Sequence, residues 1–374
     1  MLDNKRILFA AGGTAGHINP ALSAAGIVRY LHPEAQILFV GTADHMEAKL
    51  VPQAGYGFRT IDIAGFQRSF KFADVRRNIN AVGKLMKVGG QVGRILDDFR
   101  PDAVIGFGGY VSGPVLRAAA KRGIPTAIHE QNAFPGVTNK ALARAVDTVM
   151  LTDMTAARRM RCKNDPVHTG IPVRREFHTA NQAQSRRELR LDNRPMVYST
   201  GGSLGARAMN EAIIGMLALL RKKKAAYFHH AYGQYGAWVP EELEKRGVDL
   251  SAPELRIQEY INDAARRMSA ADLVIGRAGA STVNEILAVG KASILIPSPN
   301  VAENHQYYNA KTLEDAGAAI LIEEKNLTPE LLAKTVEELL ADGEKRKAMA
   351  EAAKRLAVTD ANERIYDVIC QLVQ

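Results

Sequence analysis

Short apolar runs alternate with stretches of helical periodicity along the whole chain. In the first half RILFAA (6–11), QILFVG (36–41), DAVIGFG (102–108) and PTAIHE (125–130) are apolar at adjacent as well as alternate positions. Such runs predict strands buried on both faces. Helical patterns follow at 20–31, within HMEAKLVPQAG, and from about 114 to 123. The second half repeats the rhythm. There MVYST (196–200), AYFHHAY (226–232), LRIQEY (255–260), LVIG (273–276), ASILIP (292–297) and AAILIE (318–323) predict strands separated by helices, and a last helix runs from about 362 to 374. Strand–helix alternation of this kind predicts parallel sheets covered by helices.

One echo divides the chain. The first strand ends in Gly12-Gly13-Thr14-Ala15-Gly16, and the strand at 196–200 ends in Gly201-Gly202-Ser203-Leu204-Gly205; a helix follows each. The two turns lie about half a chain apart. Each half therefore reads as its own doubly wound α/β domain with a glycine-rich first turn. The segment HTGIPVRREF (168–177) is the expected crossing point.

Composition narrows the classes. Of 374 residues 47% are apolar and 24% charged, an ordinary globular balance that excludes dominant disorder. Two cysteines, Cys162 and Cys370, cannot build a disulfide framework or a zinc site, and a reducing compartment fits. The uncharged stretch 103–116 is glycine-rich and too short to span about 30 Å of hydrocarbon. The opening apolar run is short and ends in glycines, so no secretory leader is expected.

The net charge of +9 is unevenly placed. Residues 1–165 carry 22 Lys/Arg against 13 Asp/Glu, while the remainder balances at 27 and 27. The first half is thus expected to face something anionic. Its basic residues gather in Arg68, Lys71, Arg76, Arg77, Lys84, Lys87, Arg94 and Arg100, interleaved with Phe66, Phe70, Phe72, Ile79, Val82 and Met86. Two readings stand side by side. The segment is a surface helix burying its apolar face in its own core, or it is a membrane contact with aromatics among the lipid headgroups. No zinc-finger spacing or aromatic RNA-binding motif is present, so no nucleic-acid partner is expected.

The glycine turns carry the candidate chemistry. Strand, glycine turn and helix N-terminus together make an anion site, because glycine admits close approach and exposed N–H groups point at the ligand. Neither turn has the G-x-G-x-x-G dinucleotide spacing; both are G-G-x-x-G with a hydroxyl residue, Thr14 or Ser203. A bare tight turn is the alternative for either one alone. A third cluster, Arg277-Ala278-Gly279-Ala280-Ser281-Thr282-Val283-Asn284-Glu285, follows a strand and opens a helix. Glu285 there suits a ribose diol, or else completes a capping box with Thr282. Two polar clusters, 303–310 and His129-Glu130-Gln131-Asn132, offer amides that suit sugar hydroxyls.

Seven motifs in order, GGTAGHINPALS, GGYVSGP, HEQNAFPGVTNKALA, TGIPVR, GGSLGARAMN, RAGASTVNE and NHQYYNA, resemble the MurG family of glycosyltransferases from about Arg6 past Ala310. The resemblance implies a GT-B fold, two Rossmann-like doubly wound α/β domains facing a deep cleft. Residues 1–169 would bind acceptor and membrane and 170–357 the UDP-sugar, with a closing helix at about 358–374 packing back on the first domain. It implies inverting transfer of N-acetylglucosamine from UDP-N-acetylglucosamine to the 4-hydroxyl of undecaprenyl-pyrophosphoryl-muramyl-pentapeptide. That is the lipid I to lipid II step of peptidoglycan synthesis, carried out peripherally on the anionic cytoplasmic face of the cell membrane. Other cell-wall enzymes are implied as partners, although no motif names one.

For the reaction this resemblance implies, His17, just after the glycine loop, is the first candidate for the base, its alternative being a structural histidine that caps the loop or orients a phosphate, and Glu130 is the second, its alternative being a buried, hydrogen-bonded carboxylate. By the same resemblance Arg174 and Ser203 hold the diphosphate, Ile261 offers backbone groups to uracil and Tyr260 caps the ring. Glu285 binds the ribose diol, and Ala280, Ser281 and Thr282 line phosphates and sugar, with Val283 and Asn284 in the same substrate-binding stretch. Gln306 and Asn132 read sugar hydroxyls; Thr14, Ala15 and Gly16 face the acceptor diphosphate and donor sugar. No Asp-x-Asp motif is present, and neither a metal nor another cofactor is expected. The chain departs from the usual family motifs at Ala15, Leu204, Ser281 and Asn284. A glycolipid synthase with a diacylglycerol-type acceptor is the alternative enzyme, and the HEQN motif argues against it. A noncatalytic sugar-nucleotide-binding subunit is the alternative class, and two intact glycine turns with His17 argue against that.

Overall fold

The structure is a computed structural model that describes residues 2–63, 87–221 and 223–374. The chain forms two compact units, Met1–Pro172 with Asp360–Gln374, and Val173–Thr359.

The first unit is built on a seven-stranded sheet. In chain order its elements are β1 (Arg6–Ala10), α1 (Ala15–Leu31), β2 (Gln36–Gly41), α2 (Glu47–Gln53), β3 (Gly57–Thr60), a helical stretch α3 (87–99), β4 (Ala103–Gly106), α4 (Gly109–Lys121), β5 (Thr126–Glu130), α5 (Val137–Leu142), β6 (Thr148–Leu151) and β7 (Val167–His168). The strand order is β3-β2-β1-β4-β5-β6-β7, every pair parallel. Central strands β1 and β4 are buried almost throughout, as their uninterrupted apolar runs require. Phe9 and Phe39 stack at 5.1 Å between ring centres in the core on one face of the sheet. On the other face, Val88, Val92 and Leu96 of α3 pack into the core at a four-residue spacing. Over 87–99 the apolar stripe is therefore spent internally, with Lys87 and Arg94 on the exposed side. Phe66, Arg68, Phe70, Lys71, Phe72, Arg76, Arg77, Ile79, Val82, Lys84 and Met86 lie outside the described residues.

The last helix, α15 (Ala361–Leu372), belongs to this first unit. Its Ile365, Val368 and Ile369 are buried in the same core as β1 and α1, at about 1.5–3 kcal/mol each. Ser23 Oγ donates to Asn362 Oδ1 at 3.0 Å, and His32 Nε2 meets the Tyr366 hydroxyl at 2.8 Å.

The second unit opens with α6 (Arg175–Thr179) and α7 (Gln182–Glu188). It continues β8 (Met196–Thr200), α8 (Arg207–Leu220), β9 (Tyr227–Ala231), α9 (Val239–Lys245), β10 (Leu255–Gln258), α10 (Ala264–Ala270), β11 (Leu273–Gly276), α11 (Ala280–Val289), β12 (Ser293–Leu295), α12 (His305–Asp315), β13 (Ala319–Leu321), α13 (Pro329–Ala341) and α14 (Gly343–Leu356). Its parallel sheet runs β10-β9-β8-β11-β12-β13, the same winding as the first six strands of the other sheet.

Two helices begin earlier than the sequence pattern predicts. Both α1 and α4 carry a proline, Pro20 and Pro114, as their sixth residue. Proline favours a first helical turn, so the pattern starts each helix there. In the folded chain the glycine turn already leads into helix: His17 and Ile18 N–H both bond the Thr14 carbonyl. The proline only removes one later donor.

Candidate functional site

In each sheet the winding reverses beside the first strand, between β1 and β4 and between β8 and β11. Ligands of open α/β sheets bind past the strand C-termini at such reversals. Every candidate residue of the first unit lies just past β1, at the last position of β5 (Glu130) or just past β5. In the second unit Ser203, Tyr260, Ile261, Ala280 to Glu285 and Gln306 follow β8, β10, β11 and β12, and Arg174 precedes α6.

In the first unit Gly13 takes φ +90°, and Thr14 is the extended, solvent-exposed N-cap of α1 without a side-chain capping bond. Ala15, Gly16 and His17 form the half-exposed first turn. The turn packs against the one after β4. A side chain on Gly109 would overlap the Gly12 carbonyl, and one on Gly108 would meet the His17 ring at 2.8 Å. Beneath it sits a residue that the sequence did not single out. Glu47 is fully buried and accepts from Gly13 N at 3.1 Å, Thr42 N at 3.1 Å and Thr42 Oγ1 at 2.7 Å. One loop N–H is thus spent on a buried carboxylate. The anion capacity of this turn moves to the first N–H groups of α1, at Ala15 and Gly16.

His17 is held by a relay whose proton positions follow from its partners. Gln131 Nε2 faces the Phe107 carbonyl at 2.9 Å, which only accepts, so the amide orientation is fixed. Gln131 Oε1 then faces His17 Nδ1 at 3.0 Å, and His17 must donate there. Neutral His17 therefore carries its proton on Nδ1 and presents a bare Nε2. Behind it, His129 Nε2 donates to the Gly170 carbonyl at 2.7 Å and its Nδ1 receives Gln131 Nε2 at 3.1 Å. His129 is fully buried and stacked on Phe107, and burial pushes it down to about 4, so it stays neutral. Gln131 spends its donors behind the histidine and leaves its acceptor for it. The sequence pointed to His17, but the link spans 114 positions and no local pattern announces it.

Glu130 does other work. It is 2% exposed, and its Oε1 accepts from Asn132 N and Nδ2 while its Oε2 accepts from Gly136 N and Asn139 Nδ2, at 2.8–3.2 Å. A carboxylate has about four lone-pair positions, and all four are occupied. The geometry therefore makes Glu130 the organiser of the 131–139 loop, against the second base candidacy. Asn132 is oriented by the same carboxylate.

In the second unit Gly202 and Gly205 take φ +86° and +82°. A side chain on Gly205 would overlap the Tyr232 carbonyl, so the turn lies directly on the one after β9. The carbonyls of Gly202, Ser203 and Leu204 accept from Gly205, Gln234 and Tyr235 N–H, each at 3.0 Å. Loop oxygens are thereby held by the protein. The exposed Ser203 hydroxyl and the start of α8 remain on the outer side, an arrangement that suits an anion.

Helix α11 removes the capping-box alternative for Thr282 and Glu285. Its N-cap is Gly279, so Thr282 is the third helical residue and no capping box exists. Glu285 instead meets Arg174 NH2 at 3.6 Å, and Arg174 also reaches Glu176 at 3.3 Å. Burial pushes Glu285 up to about 7, against the pull of Arg174 and with a push from Glu176. Ala280, Ser281 and Thr282 supply the first-turn N–H groups. Val283 does not join them, because its side chain lies in the core and its N–H bonds the Gly279 carbonyl. The Asn284 amide nitrogen is likewise committed, to the Ala280 carbonyl at 2.8 Å. Gln306 Oε1 accepts from Ser298 N at 2.9 Å, which turns its Nε2 toward Gly279 as a donor at the mouth of α11. Tyr260 is exposed and free to stack, whereas the Ile261 side chain is buried and leaves only its backbone for recognition. Among the described residues no group of three or more His, Cys, Asp or Glu is gathered to hold a metal.

Comparison with known proteins identifies the family of both domains. The glycosyltransferase family 28 N-terminal domain matches residues 7–151 and the family 28 C-terminal domain residues 196–365. A UDP-N-acetylglucosamine–N-acetylmuramyl-(pentapeptide) pyrophosphoryl-undecaprenol N-acetylglucosamine transferase of Acetivibrio thermocellus is 40% identical over 372 residues, covering 99% of this chain and 98% of that protein. The protein of the same name from Clostridioides difficile is 40% identical over 371 residues, 98% of this chain and 89% of its own. The crystal structure of Acinetobacter baumannii MurG superposes with a TM-score of 0.79 at 31% identity, covering 98% of this chain and 99% of that one. Two family 28 domains in order, with near-full-length identity of this size, make the chain a member of the MurG family of GT-B glycosyltransferases.

Proposed function

We propose that this chain transfers N-acetylglucosamine from UDP-N-acetylglucosamine to the 4-hydroxyl of lipid-linked N-acetylmuramyl-pentapeptide. The observation that carries the reading is the 40% identity, over 99% of the chain, to a transferase whose name states that donor, sugar and lipid-linked acceptor. The relay behind His17 supplies the base such a reaction needs. The acceptor hydroxyl gives its proton to His17 Nε2 as its oxygen bonds the anomeric carbon. The bond from that carbon to the diphosphate breaks, UDP leaves with the electron pair, and α becomes β. Arg174, the Ser203 hydroxyl and the N–H groups opening α8 and α11 stabilise the departing charge. Glu285 accepts from the ribose diol, Tyr260 stacks on uracil, and the Ile261 backbone pairs with its edge. Gln306 and Asn132 bind sugar hydroxyls; Thr14, Ala15 and Gly16 meet the acceptor diphosphate.

The same reading seats the first unit peripherally on the anionic cytoplasmic surface of the membrane, where a pyrophosphoryl-undecaprenol acceptor is anchored. The excess of 22 basic over 13 acidic residues in 1–165 supports it. No helix of the described residues is long and apolar enough to cross a membrane. A transfer assay with a soluble lipid-linked muramyl-peptide analogue tests the function, with UDP-glucose and UDP-galactose alongside. Product from UDP-N-acetylglucosamine alone is the expected result. Transfer to a diacylglycerol acceptor instead, or none to any acceptor by UDP-binding protein, would overturn it.

A further inference from the structure

At the other end of the second unit, before β11 and β12, lies a cavity of about 550 Å³. That size is within the range of small-molecule pockets. One wall is a face of α14 carrying Arg346, Lys347, Glu351 and Lys354, and the opposite wall carries Asp272 and Lys291. Lys291 is only 7% exposed. Among the described residues its ammonium has neither a hydrogen-bond nor an ion-pair partner, and its place on the wall turns it to the cavity. An unpaired lysine buried this deeply is costly unless something anionic completes it.

The neighbours sharpen the point. Gly290, the left-handed C-cap of α11 at φ +70°, has the stem of Lys354 lying where a side chain would sit, so the Lys354 ammonium is held beside Lys291. Of the two acids, Asp272 is already engaged: Arg186 reaches its Oδ2 at 3.0 Å and Met196 N at 2.8 Å. Arg346 is likewise engaged, its Nη1 donating to the Leu339 carbonyl and to the Leu340 carbonyl at 2.6 Å, which leaves three lysines, Lys291, Lys347 and Lys354, facing one uncommitted carboxylate, Glu351. Burial is the main cause holding the Lys291 ammonium down at about 8, with Asp272 pulling the other way and Lys354 and Arg186 adding to the depression. A bound anion would reverse that depression. Helix α11 separates this cavity from the nucleotide end by its ten residues, roughly 14 Å of helix.

We infer that this cavity is a second anion site, built for a small phosphate-bearing molecule that Lys291, Lys354 and Lys347 grip. The inference stands on this cavity alone and does not require the transferase reading.

Inorganic pyrophosphate is the probe, titrated calorimetrically into the full chain at low salt. Acetylation by an N-hydroxysuccinimide ester, mapped by mass spectrometry, locates it. Pyrophosphate is expected to slow acetylation of Lys291 and Lys354 but not of Lys311 on α12. Lys291→Met is expected to weaken the protecting component roughly 10- to 100-fold, the worth of one charge-assisted hydrogen bond, while Lys291→Arg retains it. If Lys291→Met fails to fold, Lys347→Glu, on the exposed surface of α14, carries the same test. Equal acetylation with and without probe, or unchanged protection in Lys347→Glu, would overturn the proposal.

Discussion

Replacing Glu285 by glutamine should make the second unit more stable at pH 8 while weakening donor binding. Burial raises this carboxyl from 4.5 to about 7. A carboxyl whose pKa is higher folded than unfolded favours folding fully below pH 4.5, and that contribution is lost as pH rises toward 7. The upward shift corresponds to about 3 kcal/mol at 1.36 kcal/mol per unit. Glutamine keeps the shape and an acceptor but never ionises, so it escapes the loss. Part of the gain is returned, because Arg174 loses the ion pair at 3.6 Å, although an arginine with more than half its side chain exposed gives up little. For a unit of this size about 3 kcal/mol is roughly 6–12 °C in Tm. Calorimetric melts of both proteins at pH 5, 6, 7 and 8 should diverge with pH, the variant gaining most of its advantage between 5 and 7. UDP should stabilise the wild type more than the variant, because ribose hydroxyls donate to the ionised carboxylate. Parallel Tm curves across that range would refute the argument.

Gln131→Leu should lower kcat roughly 10- to 100-fold with the donor KM unchanged, since the base survives but loses its fixed tautomer and direction. In a His17→Ala background the same substitution should cost nothing further in kcat; an additive loss would mean that Gln131 acts elsewhere. For membrane association, Ala at Arg76, Arg77, Lys84 and Lys87 should reduce sedimentation with anionic vesicles roughly tenfold or more, as should added salt. Unchanged sedimentation would remove this segment from the lipid contact.

The sequence was most legible where strands are buried on both faces. QILFVG, MVYST and LVIG match β2, β8 and β11 residue for residue, because an unbroken apolar run has few other homes. It was silent on β3, whose four residues are largely exposed, and on β7, which is two residues long. The glycine turns were legible for a physical reason: Gly13, Gly202 and Gly205 sit at positive φ, and Gly205 also leaves no room for a side chain. What escaped was whatever depends on distant partners. Glu47 reads as an ordinary helix residue until folding brings Gly13 to it. Gln131 is one amide among several in HEQN until Phe107 fixes which way it points. Thr282 and Glu285 have capping-box spacing, and only the true start of α11 at Ala280 removes that meaning.

The most direct test compares wild type and His17→Ala in single turnover with UDP-N-acetylglucosamine and the lipid-linked muramyl-peptide analogue, with UDP affinity measured on the same preparations. The account predicts that transfer falls roughly 10²- to 10⁴-fold while UDP binds as before. Transfer within a few-fold of wild type would take the base away from His17 and contradict the account at its centre.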